Sequence, residues 1–390
     1  MKKEKSKKVI VAMSGGVDSS VATALLKRGG FALRQAQGNP EQSRGIDVIG
    51  VFMKFWSEPL RGSPLINADS NANFSLYENR CCSSEAEARA RKVAAKLKIP
   101  FYVLSFEKEF KKKVVDYFLK EYKAGRTPNP CVVCNKEIKF GFLLKKAREL
   151  GADFIATGHY AQVQRKNGFH LLRGKDRTKD QSYFLWQLSQ EQLKHILFPV
   201  GNYIKSQVRN LAKKFGLPVL DVPESQEICF VQTSINDFLS KYLKPKPGPV
   251  VEQVHYEVNK IVGEHQGLWF YTIGQRKGLG ISGGPWYVSD KDLKRNILVL
   301  TKNEKDLEKK ELIAENVNWL SGKAPKLPLK VKAKIRYRHQ PAIAILDYDK
   351  KSKVYRLKFM VAQRAITPGQ SVVFYQREEL LGGGIIKKSC

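Results

Sequence analysis

Val9-Ile10-Val11-Ala12-Met13-Ser14-Gly15-Gly16-Val17-Asp18-Ser19-Ser20 is the stretch that decides how this chain folds. Its β-branched start reads as a buried strand, and Val17–Lys27 has the apolar spacing of a helix. Between the two stand a serine and a pair of glycines. Paired glycines let backbone approach a ligand closely, and successive amide N–H groups at a helix N-terminus make a cradle for an anion. Ser14, Ser19 and Ser20 add hydroxyl donors, and the Asp18 carboxylate suits a magnesium ion that bridges phosphates. The Gly-Lys-Ser/Thr ending of a P-loop is missing, so γ-phosphate transfer is not implied; nor is this the Gly-x-Gly-x-x-Gly turn.

Outward from that turn, strand and helix patterns alternate. Ile46–Phe55, Pro100–Ser105 and Asp153–Thr157 read as strands. Ser84–Leu97 reads as a helix opened by Ser84 and Glu87, and Lys108–Lys123 and Ile138–Leu150 as further helices, the last closed by Gly151. Such alternation predicts an α/β domain with a parallel, doubly wound sheet whose ligands lie at the C-terminal ends of the strands. The polar, aperiodic Phe31–Arg44 reads as a surface insertion, because long loops cost little stability.

After about residue 230 the pattern changes. Pro245-Lys-Pro-Gly-Pro249 is stiff and turn-rich, Trp269–Gly284 is strand-like and rich in glycine, and from about residue 311 short alternating strands predict a small β-barrel or sandwich. The expected division is a catalytic domain over 1–230 with its insertion at 31–45, a small central domain over 231–300 and a C-terminal β-barrel over 301–390. Val331, Ala333, Ile335 and Tyr337 alternate with Lys330, Lys332, Lys334, Arg336 and Arg338. At period two this predicts one apolar face and one cationic face turned to nucleic acid.

Composition sets outer limits. At ~150 residues per domain, 390 residues imply two or three domains. Lys and Arg number 69 against 37 Asp and Glu, a net +32, yet 42% hydrophobic and 10% aromatic residues still allow sizeable cores. The surplus points to a polyanionic partner, since Lys and Arg gain affinity by releasing phosphate counterions. No apolar run reaches the ~18 residues of a membrane span. The basic Met1–Lys8 leads into an apolar stretch too short for a signal-peptide core, so neither membrane insertion nor secretion is expected. Six cysteines are too few for a disulfide scaffold, and a reducing cytoplasmic setting is expected.

Those cysteines carry the second chemical signal. Thr127-Pro128-Asn129-Pro130-Cys131-Val132-Val133-Cys134-Asn135-Lys136 reads as a proline-stiffened loop just before a helix. A thiol near a helix N-terminus with a lysine beside it favours the thiolate that nucleophilic sulfur chemistry needs. Cys229, in Ser225-Gln226-Glu227-Ile228-Cys229-Phe230, is a second candidate. Zinc, an iron–sulfur cluster, a redox dithiol and plain burial stay open on spacing alone, although one Cys-x-x-Cys without a second pair or a nearby histidine suits structural zinc poorly.

Ser14–Ser20 resembles the pyrophosphate-binding loop of the N-type ATP pyrophosphatases, which cleave ATP between its α- and β-phosphates and adenylate a substrate oxygen. Further motifs follow in order: Gly50–Lys54, Thr127–Phe140, Ala156–Ala161, Lys179–Leu185, Gly263–Gly280, Ile335–Gln340 and Thr367–Tyr375. Together they resemble the tRNA-specific 2-thiouridylase family along essentially the whole chain apart from 31–44. The resemblance implies an adenine-nucleotide α-hydrolase-like first domain, then a central domain and a C-terminal barrel that bind tRNA. It implies that ATP, with Mg²⁺, adenylates the C2 oxygen of the wobble uridine before sulfur arrives from a cysteine persulfide, releasing AMP and pyrophosphate.

Residue by residue, the resemblance places ATP against Ala12, Met13, Ser14, Gly15, Gly16, Val17, Asp18, Ser19, Met53 and Gly158. It places the target base against Asn129, Pro130 and Cys131, and tRNA against His159, Lys179, Asp180, Gln181, Arg336, Tyr337 and Gln370. The residues alone suggest instead that His159 is a strand-end histidine satisfied by backbone. Cys134 is implied to be the nucleophile and Cys229 the persulfide carrier, with a disulfide left between them. The partners implied are the tRNAs for Lys, Glu and Gln and a persulfide donor, either a cysteine desulfurase or a relay protein. Some family members carry aspartate where Cys131 stands, so Cys131, Cys134 and Cys229 are also an alternative, less favoured iron–sulfur ligand set. Two other functions compete: an ATP pyrophosphatase-type ligase that forms a C–N bond, and a non-catalytic tRNA-binding protein.

Overall fold

A computed structural model describes residues 6–29, 46–58, 77–78, 82–220, 222, 228–254 and 257–390. The Phe31–Arg44 insertion, Cys81 and Ser225–Glu227 lie outside the described residues. The chain forms two compact units: one holds residues up to Val114 with Cys134–Ser182 and Gln190–Gln232, the other Val115–Val133, Tyr183–Ser189 and Thr233–Cys390.

In the first unit the opening stretch forms β1 (Lys7–Ala12) and α1 (Val17–Lys27). Strands β2 (Ile46–Lys54), β3 (Phe101–Ser105), β4 (Phe154–Ala156) and β5 (Ile196–Leu197) complete a parallel sheet in the order β3-β2-β1-β4-β5. β1 pairs with β2 from Lys7↔Ile46 to Ala12↔Val51 and with β4 from Val9↔Phe154 to Val11↔Ala156. Val9, Ile10 and Val11 are all buried, as befits a central parallel strand covered on both faces. The chain first adds strands on one side of β1, then returns to the other side at β4. Strand order therefore reverses between β1 and β4, which is where open α/β sheets leave a crevice for ligands. The predicted doubly wound sheet is what forms. β5 left no readable period because it is two residues long.

Two local readings are corrected. The helix α2 (Ser84–Lys96) is capped by Ser83, whose Oγ accepts from the Ala86 amide at 3.2 Å, one residue earlier than expected. The cysteine pair lies inside a helix, not in a loop before it. Helical backbone starts at Pro130, widens into i→i+5 turns over Cys134–Phe142 and continues through Leu143–Glu149. Proline at the first helical position has no amide to leave unpaired, so Pro130 opens this helix instead of excluding it. The far end closes on Gly151 at φ +72°, as read from sequence.

The second unit contains two antiparallel-rich sheets. One orders Glu257–His265, Gly248–Val254, Ile297–Thr301 and Tyr287–Asp292 around Val250, Leu268, Trp286, Val288, Leu298 and Leu300. Trp269–Gly284 is not strand: Gly274, Gly278, Gly280 and Gly283 all take positive φ, which breaks an extended run. Six strands of the other sheet close into a barrel, in which Glu308–Trp319, Val354–Arg364, Ala342–Asp349, Leu329–Lys334, Ser371–Gln376 and Glu379–Ser389 pair in turn and the last pairs back with the first. Closure removes the open edges that would otherwise pair with another chain.

Val331, Ala333 and Ile335 point into the barrel core as their alternation predicted. The cationic face is shorter than predicted, because the strand ends at Lys334. Lys330 and Lys332 are exposed, but Lys334 is only 8% exposed, its ammonium 5.2 Å from the Tyr337 ring centre and 5.9 Å from that of Tyr183. Cation–π attraction and burial of its aliphatic stem draw this lysine inward. Among the described residues no helix is long and apolar enough to cross a membrane.

Candidate active site

The loop after β1 is built from backbone and hydroxyls. Gly15 has φ +73°, and a Cβ there would lie 2.2 Å from the Ala86 carbonyl oxygen, so only glycine fits. Gly16 gives α1 no side-chain cap. The Ser19 hydroxyl instead donates to the Gly16 carbonyl and accepts from the Ser14 amide, both at 3.2 Å, while Ser20 Oγ donates to the same carbonyl at 2.8 Å. This pulls the turn tight and leaves the first-turn amides of α1 without a capping oxygen, as an anion cradle requires. At the end of β4, Gly158 lies against the start of α1, and a Cβ on it would sit 2.6 Å from the Ser19 amide nitrogen. Met53 is buried at the end of β2, and Ala12 and Met13 at the end of β1. All ten residues expected at ATP therefore gather at the C-terminal end of the sheet, beside the β1/β4 crevice.

Sequence reasoning missed the groups that hold Asp18. Lys205 Nζ donates to both Asp18 carboxylate oxygens at 2.8 and 2.9 Å, and the Tyr160 hydroxyl donates to one of them at 2.7 Å. Gln181 braces Tyr160: its Oε1 accepts from the Tyr160 amide at 3.0 Å, and its own amide donates to the Tyr160 carbonyl at 2.9 Å. From α2, Arg89 Nε donates to the Gly15 carbonyl at 3.3 Å. Asp180, 3% exposed, accepts from Arg173 Nε at 2.8 Å and from the amides of Gly174 and Ser182 at 3.1 Å. Of the Lys179–Gln181 triplet expected at RNA, Asp180 and Gln181 are thus committed to internal bonds, and Lys179 is half-buried in a turn.

Cys134 is 7% exposed, and Cys131 and Cys229 are half-buried. Phe230, next to Cys229, packs edge-on against Trp56 and Phe110, with ring centres 6.4 and 5.7 Å away. Phe140, on the helical stretch that begins at Cys134, packs against His159 at 5.8 Å. His159 is itself 9% exposed, lies 5.9 Å from the Phe198 ring, and shares a 2.7 Å hydrogen bond between Nδ1 and Thr157 Oγ1. Burial first, then the nearby Lys139 charge, hold its pKa well below the ordinary histidine range, so the imidazole is neutral. Its partner is thus a threonine hydroxyl and not the backbone group expected of a strand-end histidine. Among the described residues no three His, Cys, Asp or Glu side chains converge as metal ligands, and an iron–sulfur cluster gains no support from the arrangement.

In the second unit, the loop expected at the target base is fastened down. The Asn129 side chain hydrogen-bonds the Tyr183 hydroxyl, which donates to the Ser371 carbonyl at 2.9 Å. The Thr127 amide donates to the Pro368 carbonyl at 2.9 Å, and Gln370 Nε2 donates to the carbonyls of Thr127 and Pro128 at 2.9 and 3.2 Å. Gln370, expected at RNA, thus braces this loop. Arg336 also turns inward: its Nη2 donates to the carbonyls of Ile273 at 3.1 Å and Ala365 at 2.8 Å and to Thr367 Oγ1. Tyr337 is half-buried, with its ring 4.4 Å from that of Phe184.

An Arg336→Ala change leaves those carbonyls without their donor, so it should lower unfolding free energy by ~1.5–3 kcal/mol. The shift should appear in a urea titration as a lower midpoint at constant slope. The salt dependence of RNA binding should keep its slope; a slope lower by about one would instead place this guanidinium on a phosphate.

Comparison with known proteins agrees with this architecture. Residues 7–233 match the family model described as the tRNA methyl transferase HUP domain, 236–302 the tRNA methyl transferase PRC-barrel domain, and 309–386 the aminomethyltransferase beta-barrel domain. The chain is 46% identical over 391 residues to the tRNA-specific 2-thiouridylase MnmA of Clostridioides difficile (strain 630), covering 98% of this chain and 99% of that one. It is 43% identical over 389 residues to the tRNA-specific 2-thiouridylase MnmA of Clostridium perfringens (strain 13 / Type A), with 98% of each covered. Among solved structures, the U34-tRNA thiolase NcsA from Methanococcus maripaludis with its 4Fe-4S cluster is 18% identical at TM-score 0.32, over 60% of this chain and 63% of that one, a likeness too slight to bear on the chemistry. With near-complete coverage at such identity, the chain belongs to the tRNA-specific 2-thiouridylase family.

Proposed function

We propose that this protein is a tRNA-uridine 2-sulfurtransferase that uses ATP to thiolate the wobble uridine. One juxtaposition carries the reading: Gly158 closes against the amide cradle of α1, and His159, the next residue, packs on Phe140 in the i→i+5 turns that begin at Cys134. A loop suited to activate a nucleotide and a helix that bears a thiol thus share one edge of one sheet. A C–N ligase needs no such thiol.

The chemistry follows from the target. The C2 carbonyl of uridine is urea-like, and oxide is a poor leaving group. Attack of that oxygen on the α-phosphorus forms an O–P bond, breaks the bridge to the β-phosphate and expels pyrophosphate. The oxygen can then leave C2 as part of AMP. Cys229 carries the incoming sulfur as a persulfide, whose terminal sulfur attacks C2 while Cys134 attacks the sulfur still attached to Cys229. The S–S bond of the persulfide breaks, a Cys134–Cys229 disulfide forms, and AMP departs as C2=S is established. The two cysteines lose the two electrons that the transferred sulfur gains, and their protons pass to water. For the two cysteines to pair, their Cα atoms must come within about 7 Å. An external dithiol then restores them.

Asp18 is the carboxylate of the glycine turn and fits a magnesium ion that arrives with the phosphates; when bound, the ion would neutralise triphosphate charge. Asn129, Pro130 and Cys131 would meet a base splayed out of the anticodon stack. Lys179 and Tyr337, with exposed Lys330, Lys332 and Arg338, are the RNA contacts in this reading, whereas Asp180, Gln181, Arg336 and Gln370 each hold backbone of their own unit in place. The setting is cytoplasmic, the substrates are tRNAs for Lys, Glu and Gln, and a cysteine desulfurase or a relay protein supplies the persulfide. Mass analysis of nucleosides from tRNA incubated with protein, ATP and a persulfide source should reveal 2-thiouridine only when all are present. Unaltered uridine under those conditions refutes the activity.

A further inference from the structure

The glycine turn holds no cation of its own: Ser14–Ser20 offers amides, hydroxyls and one carboxylate. A triphosphate entering such a site meets a like charge at Asp18, and a P-loop answers that problem with its own lysine. Here the ammonium comes from elsewhere in the chain. Lys205 opens α3 (Lys205–Lys214), and its side chain is 11% exposed. Its Nζ bonds both oxygens of Asp18 and lies 5.9 Å from the ring centre of Tyr160, whose hydroxyl bonds the same carboxylate. Asp176 Oδ2 accepts from the Lys205 amide at 2.9 Å, and Gln207 Oε1 accepts from the Ile204 amide at 3.1 Å, so the backbone that carries this lysine is fixed.

We propose that Lys205 is the phosphate-binding cation of the nucleotide site: it pairs with Asp18 and turns to the β- and γ-phosphates when ATP enters. The proposal rests on the ATP-activating reading above. Lys205 then neutralises charge on the pyrophosphate as it leaves, with no proton transferred. A flexible four-carbon stem allows the ammonium to change partners, which a fixed guanidinium fork would resist.

The test compares nucleotides that share a base but differ in phosphates. Binding of a non-hydrolysable ATP analogue and of AMP is measured by calorimetry on wild type, Lys205→Met, Lys205→Arg and Asp18→Asn, with thermal melting alongside. Lys205→Met should weaken the ATP analogue by about ten- to a hundredfold, the loss expected for a hydrogen bond to a charged group, and leave AMP unchanged. Lys205→Arg should recover part of that loss. Asp18→Asn, which releases Lys205 from its partner, should tighten the ATP analogue in metal-free buffer. Equal loss of ATP analogue and AMP in Lys205→Met would make the lysine a structural prop and overturn the proposal. Should Lys205→Met fail to fold, Asp18→Asn decides: weaker binding of both nucleotides there overturns it. Wild-type protein that binds neither nucleotide would defeat the parent reading and this one with it.

Discussion

Cys134→Ser stops tRNA thiolation, a loss of about a thousandfold or more, while tRNA binding and ATP-dependent pyrophosphate release persist. Cys134 is 7% exposed at the start of a helical stretch, and oxygen for sulfur alters its packing little, so the fold should survive. What is lost is chemistry. A serine hydroxyl neither attacks a persulfide nor closes a disulfide with Cys229. Cys229→Ser should be equally inactive for a different reason, since it has nothing on which sulfur can be loaded. Intact-protein mass after exposure to a persulfide donor separates the two: Cys134→Ser gains a sulfur, and Cys229→Ser does not. Wild-type thiolation by either variant would remove both residues from the mechanism.

Gly158→Ala attacks the other half of the reaction. A methyl group there would lie 2.6 Å from the Ser19 amide nitrogen and 2.7 Å from the Asp18 carbonyl carbon. Neither neighbour is a flexible side-chain tip, so the end of β4 and the start of α1 must part. Overpacking of this kind costs ~1–3 kcal/mol of stability. The larger effect falls on ATP, whose cradle is the backbone being displaced, and a hundredfold loss of affinity is the scale expected for about 3 kcal/mol of misplaced hydrogen bonds. Gly278→Ala is the control: nothing lies within 4 Å of the added methyl, and any local strain comes from its own positive φ of +72°, which Gly158 does not have. That variant should bind ATP as wild type does. Calorimetry with ATP and thermal melting read both effects, and a Gly158→Ala protein that matches wild type in each would contradict the closed crevice.

Features that depend on local order were legible in the sequence. The strand–glycine–helix turn, the parallel sheet and the inward residues of the barrel strand all follow from side-chain period and from where glycine is tolerated. Readings failed where one element's end was extrapolated or where partners came from afar. Period two continued on paper through Arg338, but the strand stops at Lys334, so Arg336 falls in a turn and bonds inward. Pro130 looked like the edge of a loop because proline breaks helices, yet at the first helical position it starts one. Lys205 and Tyr160 stand 187 and 142 positions from Asp18, and nothing near either residue marks them as its partners. His159 sits between Phe140 and Phe198 and bonds the Thr157 hydroxyl, a side-chain partner that its strand-end position did not disclose.

The stitching of Thr127 and Pro128 to Pro368 and Gln370 constrains how such proteins can be rebuilt. The barrel is not an interchangeable tail. A chimaera that takes its last third from a distant homologue brings in a foreign grip for the segment ahead of Pro130, and the two must be transplanted as a matched set. Inheritance faces the same coupling: drift in one strip of backbone is tolerable only when the other drifts with it.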